Sequence, residues 1–314
     1  MRNGGREDVE RAGLVCAGLC ALNGAFVPAV ARLTSTAAAP LTVATVSSLF
    51  AGALALAVLA VRGELGTLFG RATGPRLALV GLVGTALAFG LFYAGTSRTS
   101  AIDAALALQV EPIYSLVGAW AVLGHRPTLR RVAALAVLVA GLALALGAHR
   151  LSSSVGIWLV LATPLCWQLS HLLVLRRLQG VAPAVLTGAR YVYGGLILAF
   201  AWLASGGNRG ELAGLGASLP LLAFQGTVLS YLGTIVWYAA IARLDLARTT
   251  AIVVPAIPVL SLAASFALLG EVPTPRQALG MALTAAGILA FVTAPHLEPR
   301  PRRIPSATAP IAAE

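Results

Sequence analysis

IYSLVGAWAVLGHRPT, residues 113–128, recurs 146 positions later as VLSLAASFALLGEVPT, residues 259–274. Ser115 and Leu116 stand over Ser261 and Leu262, Leu123 and Gly124 over Leu269 and Gly270, and Pro127 and Thr128 over Pro273 and Thr274. Working outward at the same offset, Pro112 meets Pro258 and Gly141 meets Gly287; at an offset of 145, Gly81 and Tyr93 meet Gly226 and Tyr238. Chance likeness among Ala/Leu/Val-rich helices explains apolar matches. It explains Gly, Pro and Tyr matches at a near-constant offset poorly, so the chain reads as a duplication.

Both copies lie in strongly apolar sequence. Hydrophobic residues make up 58% of the chain and charged residues only 11%, with a mean hydropathy of +0.87. No soluble domain buries that much apolar surface. A spanning helix needs about 20 mostly apolar residues. Ten stretches qualify, at 13–31, 41–61, 77–95, 104–123, 132–147, 155–175, 184–203, 219–241, 249–269 and 278–293. They divide five and five. The expected organisation is a leader at 1–11, a first five-helix unit at 12–148, a second at 149–295 and a disordered, cytosolic tail at 296–314. The small-x-small triplet Ala29-Val30-Ala31 suits signal cleavage, but the first apolar run is long for that, acidic residues precede it, and it has a partner in the second half. It is read as the first span.

The net charge of +11 carries no lysine. With an inside N-terminus, inner segments hold Arg2, Arg6, Arg11, Arg62, Arg71, Arg76, Arg126, Arg130, Arg131, Arg176, Arg177, Arg243, Arg248, Arg300, Arg302 and Arg303, against Arg32, Arg98, Arg150, Arg209 and Arg276 outside. That is the positive-inside bias of a cell-membrane protein with cytosolic termini, and it accounts for the basic balance without a nucleic-acid partner. An odd number of helices per half sends the second copy through the bilayer upside down. Equivalent loops obey: Arg126, Arg130 and Arg131 answer to Arg276 alone, and Arg62, Arg71 and Arg76 to Arg209 alone. The fold class is therefore all-α and integral to the membrane, ten helices in two inverted five-helix repeats, an arrangement typical of secondary transporters with a site near midplane.

These features together resemble the EamA-type family of the drug/metabolite transporter superfamily, which has ten helices in two inverted halves. The residues carrying the likeness are Leu269-Gly270-Glu271 with Pro273, Thr274, Gln277, Gly280 and Gly287, then Tyr231 and Trp237-Tyr238, and Cys166-Trp167. The resemblance implies transport of a small-molecule substrate across the lipid bilayer and says almost nothing of which substrate. The first half departs from it, with Leu123-Gly124-His125 at the motif and no tryptophan equivalent to Trp167. Glu271 is read as structural, ahead of the tenth helix, where a helix dipole favours a carboxylate.

Glu111 is the leading candidate for transport chemistry. An ionised carboxylate near the middle of a span costs about 2.5–3.5 kcal/mol on insertion scales, so it must face an interior or a watery cavity, where it could exchange protons. Pro112 cannot donate to the carbonyl of Leu108 and leaves a polar group loose at the same depth. Tyr114 and Ser115 share the Glu111 face; Gln109 joins them only if the proline bends the helix. The second half places Ile257 against Glu111, with Pro255 and Pro258 freeing carbonyls of their own, which suggests an asymmetric site built on broken helices. Arg190 is the one arginine outside the loops, about 10 Å into the seventh helix. Snorkelling to the surface and a cavity role both fit it. Thr227, Tyr231, Thr234 and Tyr238 draw a polar stripe at helical spacing on the eighth helix. Trp167, Gln168 and His171 form a patch on the sixth, and Asn23 falls opposite Gln168.

Membrane enzyme chemistry would need clustered acids and bases. His125, His149, His171 and His296 are scattered, Asp103 and Asp245 stand alone, and Cys16, Cys20 and Cys166 lack metal-ligand spacing, so no metal or cofactor is expected and the chain is read as no enzyme. The leading reading is export of small polar or amphiphilic metabolites by alternating access, coupled to protons through Glu111. The rival within the fold is multidrug efflux of lipophilic cations, which Arg190 in the cavity would oppose. Oligomeric state is not encoded legibly.

Overall fold

A computed structural model describes residues 2–124, 127–147, 153–207, 209–244 and 246–294. Arg126, His125, His149, Arg150, Asp245, His296, Arg300, Arg302, Arg303 and the tail expected at 296–314 lie outside the described residues. Among the described residues, ten apolar helices are long enough to cross a membrane: α1 (Asp8–Ala37), α2 (Pro40–Val61), α3 (Gly74–Thr96), α4 (Ala101–Val122), α5 (Leu129–Leu146), α6 (Val155–Arg177), α7 (Pro183–Ala204), α8 (Leu219–Leu244), α9 (Arg248–Leu269) and α10 (Pro275–Thr293).

Their ends follow ordinary signals. Thr128 and Thr274, matched by the repeat, cap α5 and α10 by accepting from Arg131 N at 3.3 Å and Gln277 N at 3.2 Å, and Gln277 completes a capping box on Thr274. Gly124 and Gly270 close α4 and α9 with φ of 74° and 65°, a backbone that glycine adopts without strain.

Burial is arranged for lipid. Trp120, Trp158, Phe200, Phe266 and Leu279 point outward, whereas Ser47, Ser48, Thr85, Thr163, Ser261 and Thr284 are fully buried. Without a hydrophobic drive between helices, close backbone approach supplies the packing. The approaches come in exchanged pairs. A Cβ on Gly141 of α5 would lie 2.5 Å from Thr284 N and 2.8 Å from Gly280 O of α10; one on Gly287 would lie 2.5 Å from Leu138 N and 3.0 Å from Ala134 O of α5. Gly52 of α2 abuts Tyr191 and Val192 of α7, and Gly195 of α7 abuts Ser48 and Leu49 of α2. At the level of whole helices, α1 packs on α8 and α9 as α6 packs on α3 and α4.

Two irregularities sit at mid-depth. Residues Leu82–Leu87 of α3 and Gln225–Leu232 of α8 wind as π-helix, the wider turn that often marks functional sites. In α4 the helix runs Ala101–Leu108, stops, and resumes at Glu111–Leu123. The stop is the Gln109–Val110 turn, whose amides bond only three residues back, to Leu106 O and Ala107 O.

Candidate functional site

The break in α4 positions Glu111. Pro112 has no amide to continue the ladder, so the second segment starts afresh, with Glu111 in its first turn. A carboxylate there faces the positive end of a helix. Glu111 Oε1 accepts from Gln168 Nε2 of α6 at 2.9 Å. The break consumes Gln109 differently: it is buried, and its Nε2 donates to its own helix at Ala105 O, 3.0 Å.

Arg190 turns toward α3. Its Nη2 donates to Gly84 O, in the π segment of α3, at 3.0 Å, and its Cζ lies 5.9 Å from the Tyr191 ring. Among the described residues no ion pair joins Arg190 to Glu111. Its Nε is buried without an acceptor, as is the Trp167 Nε1 beside Gln168. Glu111 and Gln168 thus meet between α4 and α6, and Arg190 of α7 reaches α3 at Gly84, beside Ser170 of α6.

The matching junction of α1, α2, α8 and α9 is built differently. Asn23 Nδ2 donates to Val228 O, in the π segment of α8, at 2.9 Å. Ile257, at the position equivalent to Glu111, packs against Gly24, the residue after Asn23. Tyr191 links the two junctions: its hydroxyl donates to Ser230 O at 3.0 Å and its ring lies 6.3 Å from that of Tyr231.

Several expectations change. Pro255 and Pro258 do not break α9, which runs as one helix from Leu246 to Leu269; only the first half has the interruption. The polar stripe on α8 is not one straight face. The π segment takes more residues per turn, so a 3.6-residue count loses phase through it. Tyr231 is buried and its hydroxyl has no partner, whereas Tyr238 is 36% exposed and Thr234 Oγ1 folds back on Ser230 O at 2.9 Å. Ser115 is exposed and makes no bond to Glu111. His171 is likewise exposed. Glu271 caps a helix, but α4 of the other half rather than α10: its two oxygens accept from Ala101 N and Ile102 N, each at 3.1 Å. Gln277 adds a second tie at the same end, donating to Asp103 Oδ1 at 2.9 Å.

Sequence reasoning missed one polar chain. Thr34 Oγ1 of α1 donates to Gln225 Oε1 of α8 at 2.9 Å, and Gln225 Nε2 donates to the Tyr93 hydroxyl of α3 at 2.6 Å. Gln225 is buried and directly precedes the repeat-matched Gly226, the one signal that could have flagged it. Among the described residues, His, Cys, Asp and Glu form no group of three or more able to hold a metal ion.

The fold and this geometry can be set beside known proteins. A solved crystal structure 17% identical in sequence aligns with a TM-score of 0.63 over 90% of this chain and 97% of that one, a likeness of fold alone. A protein of Streptantibioticus cattleyicolor named as a probable terminal-alkyne amino-acid exporter is 30% identical over 250 residues, 77% of this chain and 81% of the relative. The profile of one family matches residues 11–147 and matches again over 154–293, so each run of five helices carries its signature. The chain, a multi-pass membrane transporter, belongs to the EamA-like transporter family.

Proposed function

We propose that the chain exports small amphiphilic metabolites of the amino-acid type from the cytosol, by proton-coupled alternating access between two five-helix halves inserted in opposite senses. The observation that carries the coupling is the Glu111–Gln168 hydrogen bond, which joins α4 of one half to α6 of the other at the break. A carboxylate only accepts, whereas a carboxylic acid also donates. Gaining a proton on the other oxygen leaves that bond in place and adds an O–H donor that needs an acceptor of its own. The α4–α6 junction thus differs by one donor between its two protonation states, a difference that the two conformations of a coupled carrier can read.

Arginine asymmetry between equivalent loops supports the inverted insertion and the cytosolic termini in the cell membrane. The exchanged contacts of Gly141 with Gly287 and of Gly52 with Gly195 support two halves related by a pseudo-two-fold axis. The named relative supports both the direction and the amino-acid class. Efflux of lipophilic cations is disfavoured by Arg190, whose positive charge turns into the junction.

The test is substrate-driven proton movement in proteoliposomes holding a pH-reporting dye, with L-leucine, L-phenylalanine and 2-aminopent-4-ynoic acid offered in turn. Wild type is expected to move protons with at least one of them. Glu111→Gln is expected to exchange that substrate down its gradient while moving no protons. An unchanged rate and pH dependence in Glu111→Gln would reject the mechanism.

A further inference from the structure

We propose that Arg190 is the receptor for a substrate carboxylate, with the Trp167 indole N–H as a further donor, so that the transported molecules are acids and not merely amines. The inference rests on the exporter reading above and deepens it.

Arg190 lies within the apolar span α7, and an arginine there needs a counter-charge or a full set of acceptors. Among the described residues it makes no ion pair and one side-chain hydrogen bond. Of its five N–H groups, one, on Nη2, meets Gly84 O; the Nε–H is buried and meets nothing; and Glu111, the nearest candidate counter-ion, spends Oε1 on Gln168 instead. A structural arginine facing a carboxylate closes a bidentate pair with it. This one is held short of doing so. The anchoring at Gly84 explains how: the π segment of α3 leaves that carbonyl available, and Gly84 itself, which has no side chain, lets the guanidinium approach, since a Cβ there would lie 3.3 Å from Arg190 Nε and 2.5 Å from Ser170 Oγ.

A neighbouring unpaired group repeats the pattern. Ser170 of α6 lies against the same Gly84 as Arg190, and Trp167, one helical turn before it, has its Nε1 buried without an acceptor among the described residues. Buried donors without acceptors are rare in settled interiors. Two unpaired donors, on α6 and α7, call for an acceptor-rich guest. A carboxylate supplies two oxygens in the plane that a guanidinium matches. Glu111, across the same junction, suits the ammonium of the same molecule, so an α-amino acid zwitterion satisfies both charges at once.

The experiment compares L-leucine, L-phenylalanine and 2-aminopent-4-ynoic acid, each with its methyl ester and its decarboxylated amine, as transported solutes in proteoliposomes of wild type, Arg190→Gln and Arg190→Lys. Wild type is expected to carry a free acid at least about tenfold faster than its ester or amine, the scale of a lost charge-assisted bond. Arg190→Gln should erase that preference and Arg190→Lys retain part of it. If esters and amines travel as fast as acids in wild type, or if Arg190→Gln keeps the preference, the carboxylate assignment falls and export stands. If no acid is carried at all, the exporter reading falls and takes this inference with it. The wild-type comparison decides the matter even where Arg190→Gln fails to insert.

Discussion

Removing the carboxylate of Glu271 tests how the two halves are tied at one end of the bundle. The first three amides of α4 are satisfied from two sources: Ser100 Oγ takes Asp103 N at 3.0 Å, and Glu271 takes Ala101 N and Ile102 N. No intrahelical acceptor exists for these groups. Ala101 is 0% exposed and Ile102 3%, so water has little access if the carboxylate goes. An unsatisfied buried donor costs about 1–3 kcal/mol, which puts Glu271→Ala at about 2–6 kcal/mol, with the lower half expected because Glu271 itself is partly exposed. Glu271→Gln keeps one acceptor oxygen, turns an amide toward the second donor and loses the charge–dipole attraction, for roughly 1–3 kcal/mol. The assay is equilibrium unfolding in mixed micelles followed by tryptophan fluorescence, with the order wild type, Gln, Ala. A Glu271→Ala variant within about 0.5 kcal/mol of wild type, the range of an ordinary surface change, would refute the capping argument.

The α5–α10 seam predicts equal penalties from matched substitutions. Gly141→Val and Gly287→Val each drive a side chain into backbone atoms of the facing helix, 2.5 Å from Thr284 N and from Leu138 N, and each should cost about 1–3 kcal/mol or more in detergent unfolding; tolerance of one and not the other would contradict the equivalence of the two helices. Glu10 and Arg248 meet at 2.5 Å with side chains 45% and 49% exposed. A pair so open to solvent contributes under about 1 kcal/mol, so Glu10→Gln should leave thermal unfolding nearly unchanged, and a large loss would show that the pair does more than its exposure allows.

The ten spans were legible because a bilayer imposes length and apolarity, and those are properties of composition. The pairing of Gly141 with α10 and of Gly287 with α5 follows from repeat-matched positions. Partners across the junction were not legible. Periodicity says which face of α4 Glu111 occupies and nothing about which helix lies opposite, so the bond to Gln168 had no sequence signature. The proline rule succeeded at Pro112, where the chain takes a turn at Gln109–Val110, and failed at Pro255 and Pro258, where α9 continues. A missing amide removes one bond but does not by itself dictate a break. The α8 stripe failed for a geometric reason: helical counting assumes one pitch, and π turns change it between Thr227 and Thr234. Glu271 was rightly read as a helix cap and assigned to the wrong helix, because its true partner is 170 residues away.

The wide turns of α3 and α8 also act as sockets. In α3 the segment spans 82–87, and in α8 it spans 225–232, starting one residue before Gly226. A π segment is a surplus residue in an otherwise α-helical run, and it leaves a backbone carbonyl inside the span open to a side chain from a neighbouring helix. The two sockets are filled by groups of different charge: a guanidinium from Arg190 at Gly84 and a neutral amide from Asn23 at Val228.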